Sequence, residues 1–210
     1  MGYAFVSKLR QRVRVCAVRL FLLARHGEST LNVEDRVNGD PDVRVDLTER
    51  GRDESRKLGE QIAHVPIDLC VHTQFQRTLQ TSELALEGRT LPFTVEPLLN
   101  DIDIGELEGE TISDYRAWKN VHTRSDRFPA GESLDDAAHR YASAYRMLLE
   151  RDEDTVLVIS HEIPIRYALN AAAGSDDLDG PMHQIRNATP YLFDEDGLAA
   201  AATRIDELTG

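Results

Sequence analysis

Thr155–Ser160, TVLVIS, constrains this chain more than any other stretch. Four consecutive aliphatic side chains leave neither face of a strand polar, so both faces must be covered. Arg19–Ala24 (RLFLLA) is a second apolar run of strand length, and Ile67–Thr73 (IDLCVHT) a third. Helix-like stretches separate them. Thr48 is a cap residue opening a helix to His64, with Leu58 and Ile62 on one face. Gln76–Leu86 reads as another helix, and Phe93–Val95 as a short strand. Ser133 opens a long helix with Leu134, Ala137, Ala138, Tyr141, Tyr145 and Leu148 at three-and-four spacing, and Asp136 sits where a capping box needs it. A further helix is expected to start near Pro164, and late edge strands at Tyr191–Phe193 and Ala199–Ile205. Alternating strands and helices predict an α/β domain with a mostly parallel sheet covered on both faces.

The 210 residues suit one domain or two small ones. With 24 Lys+Arg against 37 Asp+Glu the net charge is −13, which argues against general binding to nucleic acid or anionic membranes. Cys16 and Cys70 make no disulfide framework, and no uncharged apolar stretch is long enough to span a bilayer. A soluble cytoplasmic protein is expected, with monomer or homodimer left open. The basic residues Lys8, Arg10, Arg12 and Arg14 precede the first acid and mark residues 1–18 as a basic N-terminal arm, ahead of one domain over 19–210.

In a parallel sheet, ligands bind beyond the carboxyl ends of the strands. RLFLLA runs into Arg25-His26, IDLCVHT is followed in the next helix by Arg77, and TVLVIS runs into His161. Three strands thus deliver Arg, His, Arg and His to one sheet edge. Such a cationic pocket suits a phosphate-sized anion. A neutral imidazole can attack phosphorus, and Arg25 and Arg77 disfavour protonation of His26. The arginines and His161 can stabilise the transferring group, and the acidic segment Asn100–Glu110 offers a proton donor.

These residues carry a resemblance. Leu23-Ala-Arg-His-Gly-Glu-Ser-Thr-Leu-Asn32 is similar to the signature of the histidine phosphatase superfamily, in its phosphoglycerate-mutase-like branch. Asp46-Leu-Thr-Glu-Arg-Gly51, Arg77-Thr-Leu-Gln-Thr81, Leu99–Gly109, Gly131-Glu-Ser133 and Val158–Arg166 resemble further blocks of that branch, in order. The resemblance implies a three-layer α/β/α fold with a mostly parallel sheet and no metal or organic cofactor. It makes His26 the phosphorylated nucleophile, Arg25, Asn32, Arg77 and His161 the phosphate ligands, and Asp101 the general acid.

Several positions depart from the pattern. Asp101 stands where the family usually has Glu, so Asp103 or Glu106 is a candidate helper. Thr73-Gln74 replaces a common Ser-Pro, and two extra residues lie between Gly39 and Leu47. Glu162-Ile163 follows the second histidine where glycines are usual, which makes Glu162 a candidate substrate-binding residue. The expected activity is hydrolysis of small phosphate monoesters on phosphorylated metabolites through phosphohistidine. The rivals are a cofactor-dependent phosphoglycerate mutase, and a protein phosphatase or phosphate-binding regulator. The short stretch from Gly109 to Gly131, despite Arg116, Arg124 and Arg127, favours the hydrolase over the mutase. Trp118 and Phe128 are candidates for lining a substrate cap or for ordinary packing.

Overall fold

The computed structural model describes residues 19–210; the basic arm of residues 1–18 lies outside them. Five strands form one sheet in the order β3-β2-β4-β1-β5, where β1 is Leu20–Arg25, β2 Leu69–His72, β3 Phe93–Val95, β4 Thr155–Ser160 and β5 Pro190–Asp194. The first four are mutually parallel, and β5 runs antiparallel along the outer edge of β1. The helices are α1 (Thr30–Val33), α2 (Glu49–Gln61), α3 (Gln76–Ala85), α4 (Ile112–Val121), α5 (Leu134–Leu149), α6 (Glu162–Ala172) and α7 (Glu195–Thr209).

All six residues of β4 are buried, as an unbroken apolar strand requires. Side chains alternate between two cores. Phe21, Leu23, Val156 and Val158 pack with α5, α6 and α7, and Leu22, Ala24, Leu157 and Ile159 pack with Leu58, Ile62, Ala85 and Leu86 beside α2 and α3. Cys70 lies fully buried in the second core. Ser133 caps α5 through a complete capping box with Asp136, and Thr48 caps α2 by accepting from the Gly51 N–H.

One expectation needs correction. The segment Ala199–Ile205 is not a strand but part of α7, capped by Asp194; Leu198, Ala201, Ala202 and Ile205 recur at helical spacing and bury one face. The helix expected to start near Pro164 is α6, which starts at Glu162 directly after His161, so that Pro164 sits in the first turn, where its missing N–H leaves no helical hydrogen bond unmade.

Candidate active site

Sheet register brings the two histidines together. Arg25 pairs with Ser160 across the β1–β4 ladder, and the His26 N–H donates to the Ser160 carbonyl at 3.0 Å. His26 and His161 therefore leave adjacent parallel strands side by side, with ring centroids 5.5 Å apart. β2 flanks β4 on the other side; the residue after it, Thr73, hydrogen-bonds His161 Nε2 through its hydroxyl at 2.9 Å. Arg77, in the first turn of α3, enters the same space.

The backbone turn holding His26 is close-packed. A Cβ on Gly27 would lie 2.3 Å from the Gly51 carbonyl oxygen, and one on Gly51 would lie 2.0 Å from that of Glu28. Backbone contact that close admits only glycine at either position. The Leu47-Thr48-x-x-Gly51 block thus buttresses the segment that carries His26.

His26 is buried, and its Nδ1 lies 2.7 Å from the Gly27 carbonyl oxygen. A carbonyl can only accept, so Nδ1 carries the proton and Nε2 presents its lone pair. Arg77 Nε donates to that Nε2 at 3.0 Å. Burial, then Arg77, then Arg25 hold the His26 imidazole well below the usual histidine range. The same burial and Arg77, with smaller contributions from His26 and other arginines, lower His161, whose Nδ1 accepts from Arg77 Nη2 at 3.2 Å.

Arg77 is the hub. Besides the two imidazoles it donates to the Asn38 side-chain oxygen, to the Asn38 carbonyl at 3.2 Å and to Asp101 Oδ2 at 3.4 Å. Burial pushes its guanidinium down to about 10, against the pull of Asp101, so it stays cationic near neutral pH. Asn38 is held in turn by Glu108, whose carboxylate accepts from the Asn38 amide at 2.6 Å and from the Gly39 and Asp40 N–H groups at 2.6 and 3.1 Å.

Asp101 Oδ2 also lies 3.5 Å from His161 Nδ1. Burial raises the Asp101 carboxyl above the ordinary aspartate range and outweighs Arg77, which lowers it. Asp103 instead closes a local turn by accepting from the Gly105 N–H at 3.0 Å. Neither Asp103 nor Glu106 lines the cavity.

That cavity has a volume of about 340 Å³ and is lined by Arg25, His26, Asn32, Arg77, Asp101 and Glu162, and on the side towards α4 by Arg36, Tyr115, Arg116, Lys119 and Arg166. Asn32 uses its Oδ1 to accept from the Ser29 N–H at 3.0 Å, which leaves its amide NH2 for a ligand. His161 is fully buried and touches the site through Arg77 and Asp101 without lining the cavity. Glu162 pairs with Arg25 at 2.8 Å and with Arg166 at 3.1 Å. It therefore does not stand unpaired beside the anion pocket. Arg25 Nε is buried without a partner among the described residues.

Sequence reasoning missed Asn38 and Thr73 as members of the site, whereas the α4 wall falls within the short stretch from Gly109 to Gly131 that holds Arg116. Thr73 follows a strand as His26 and His161 do, so the same strand-end rule reaches it. Asn38 lies in an irregular loop that carries no such signal. Trp118 and Phe128 do not line the cavity; they stack on each other with centroids 4.0 Å apart, so packing is their role here.

The buried histidines have a consequence for stability. Both have folded pKa values below the unfolded value of about 6.5, so below that pH the unfolded chain binds more protons. The stability they preserve is complete above about pH 6.5 and declines as pH falls, by up to about 1.4 kcal/mol per pH unit for each histidine. Asp101, raised rather than lowered, acts with the opposite sign. The Tm is expected to fall between pH 7 and 5, and less steeply in His161→Asn; equal slopes in calorimetry would contradict this.

Comparison with known proteins agrees with the geometry. The model of the histidine phosphatase superfamily, branch 1, matches residues 21–205. 6-Phosphofructo-2-kinase/fructose-2,6-bisphosphatase 4 of Rattus norvegicus is 36% identical over 189 residues, which are 83% of this chain and 38% of that protein. The chain thus spans well under half the length of this relative. 2,3-Bisphosphoglycerate-dependent phosphoglycerate mutase of Methylobacterium radiotolerans is 32% identical over 208 residues, covering 90% of this chain and 96% of the mutase. The alpha-ribazole phosphatase of Shigella flexneri shares the fold, with a TM-score of 0.73 at 23% identity over 82% of this chain and 89% of that one. With two histidines at the ends of adjacent parallel strands, an arginine between them and a family match over nearly the whole described chain, this protein belongs to branch 1 of the histidine phosphatase superfamily.

Proposed function

We propose that the chain is a metal-independent phosphomonoesterase that transfers phosphate from a small phosphorylated metabolite to His26 and then to water. The observation that carries this is the His26 tautomer: Nδ1–H is tied to the Gly27 carbonyl, and the Nε2 lone pair faces Arg77 at the cavity. A substrate phosphate would take Arg77 Nε–H from Nε2 and engage Arg25 and the Asn32 amide, with His161 held against Arg77. Nε2 then attacks phosphorus as the ester P–O bond breaks, and the Asp101 carboxylic acid gives its proton to the departing oxygen. In the second half, the Asp101 carboxylate takes a proton from water, whose oxygen attacks phosphorus. The N–P bond breaks, its electron pair returns to Nε2, and inorganic phosphate leaves. Arg25 and Arg77 meet the charge on the transferring oxygens throughout.

Asp101 and His26 set opposite limbs of the pH profile. Attack fails as pH falls through the lowered His26 value, and protonation of the leaving group fails as pH rises through the raised Asp101 value. The test is phosphate release from p-nitrophenyl phosphate and from alkyl phosphates in excess chelator, with trapping of acid-labile, base-stable phosphate on the protein. Asp101→Asn is expected to slow alkyl phosphates by roughly 10²–10⁴-fold but p-nitrophenyl phosphate much less, because a nitrophenolate leaves without a proton. Equal losses on both would remove Asp101 as the acid. The mutase-like relative and the cations Arg36, Arg116 and Lys119 on the α4 side support a second reading as a phosphoglycerate mutase. Supplying 3-phosphoglycerate with a trace of the 2,3-bisphosphate separates the two by product: isomer or free phosphate.

A further inference from the structure

Asp179 lies between α6 and β5 and does not line the cavity. Its carboxylate nevertheless gathers three cations from different parts of the chain. Oδ1 accepts from Arg166 Nη2 of α6 at 2.7 Å, and Oδ2 accepts from Arg124 Nη1 at 2.8 Å and from Lys119 Nζ of α4 at 3.5 Å. Arg166 and Lys119 line the cavity. Arg124 reaches on to Asp135 of α5 at 3.0 Å, and Arg166 reaches back to Glu162 and so to Arg25. Charges of alternating sign therefore run from the phosphate pocket, through Asp179, to the far wall.

A second observation shows why this carboxylate matters. No residue of α4 is fully buried, and the helix, which helps to wall the cavity, packs against the core through the partly buried Tyr115 and Trp118. Its anchors are Tyr115 and Trp118, both stacked on Phe128, and the pair of Lys119 with Asp179, which Arg124, three residues beyond the helix, joins. Among the described residues Arg124 Nη2 and Arg166 Nε are buried without partners, so neither guanidinium has a spare acceptor there to turn to. The hydroxyl of Tyr115 on α4 is likewise buried without a partner among the described residues.

We infer that Asp179 is a positioning residue: it holds α4 and the adjoining Arg124 against α6 and so sets the wall that the leaving group meets, while Arg25 keeps its own direct pair with Glu162. The inference rests on the phosphatase reading for its kinetic arm, but not for its spectroscopic one. Removing the charge in Asp179→Asn is expected to raise KM for p-nitrophenyl phosphate about fivefold or more, with kcat and the inhibition constant of inorganic phosphate within about twofold of wild type, the pattern of lost uniform binding. Trp118 is the single tryptophan of the chain, so its quenching by acrylamide reports on α4 directly and is expected to increase. Acetate added to Asp179→Ala is expected to restore KM and quenching towards wild type, which repair of a merely structural defect would not do. Arg124→Gln removes one cation while leaving Asp179 paired, and guards against misfolding of the Asp179 variants; it should shift both readouts in the same direction. Wild-type KM and quenching in a folded Asp179→Asn or Arg124→Gln overturn the inference, as does a phosphate inhibition constant that rises in step with KM. If the wild-type protein releases no phosphate from any ester, the phosphatase reading fails, and the quenching data still decide the role of Asp179.

Discussion

His26→Ala is expected to lower kcat/KM for any phosphate ester by roughly 10⁴–10⁶-fold, the loss typical of removing a nucleophile that begins a covalent pathway. No other side chain at the site can replace it. His161 is fully buried, with Nε2 engaged by Thr73 and Nδ1 facing Arg77, so it has no free lone pair aimed into the cavity. The phosphoenzyme signal should vanish with the activity. The measurement is phosphate release together with phosphorus NMR of acid-labile protein phosphate. Retained turnover in the alanine variant would end the phosphohistidine reading, whatever the family match.

Arg77→Met should follow, with a loss of about 10³-fold in kcat/KM and a marked rise in the inhibition constant of inorganic phosphate. Removing one preorganised donor to a developing charge costs about 10²–10³-fold. Arg77 has more to lose, because one guanidinium contacts His26, His161, Asn38 and Asp101. Its charge is also the largest lowering influence on His26 after burial. The acid limb of the pH profile should therefore move upward in the variant, since the imidazole gains protons more readily without that neighbour. Arg77→Lys keeps charge without the fork and should recover part of the rate but not the geometry. A variant that bound phosphate as tightly as wild type, with an unmoved acid limb, would place Arg77 outside the phosphate site.

How much of this was legible beforehand depends on the kind of signal. The strands were, because a run such as Val156–Ile159 has one way to be covered on both faces. The meeting of His26, Arg77 and His161 was legible, because parallel strands and the helices that follow them deliver their ends to one sheet edge. The α7 segment was misread because it was taken as an apolar run, although alanine is a strong helix former and Leu198, Ala201, Ala202 and Ile205 recur at 3-and-4 spacing. Asn38 was invisible because its role depends on where an irregular loop returns, and Glu108 sets that from 70 residues away.

Glu162 divides the two kinds of knowledge most sharply. Composition and motif put a carboxylate next to the second histidine of an anion pocket, where the charge looks out of place. Tertiary structure alone decided that it lies between Arg25 and Arg166, with Asp179 behind Arg166. The sequence by itself determined the local periodicities, the caps at Thr48 and Ser133, and the residue types at the strand ends, because each arises from neighbours a few positions apart. Which charges neutralise one another, and which wall of the cavity they hold, was decided by the fold, because those partners meet only after α4, α6 and the segment carrying Asp179 have packed.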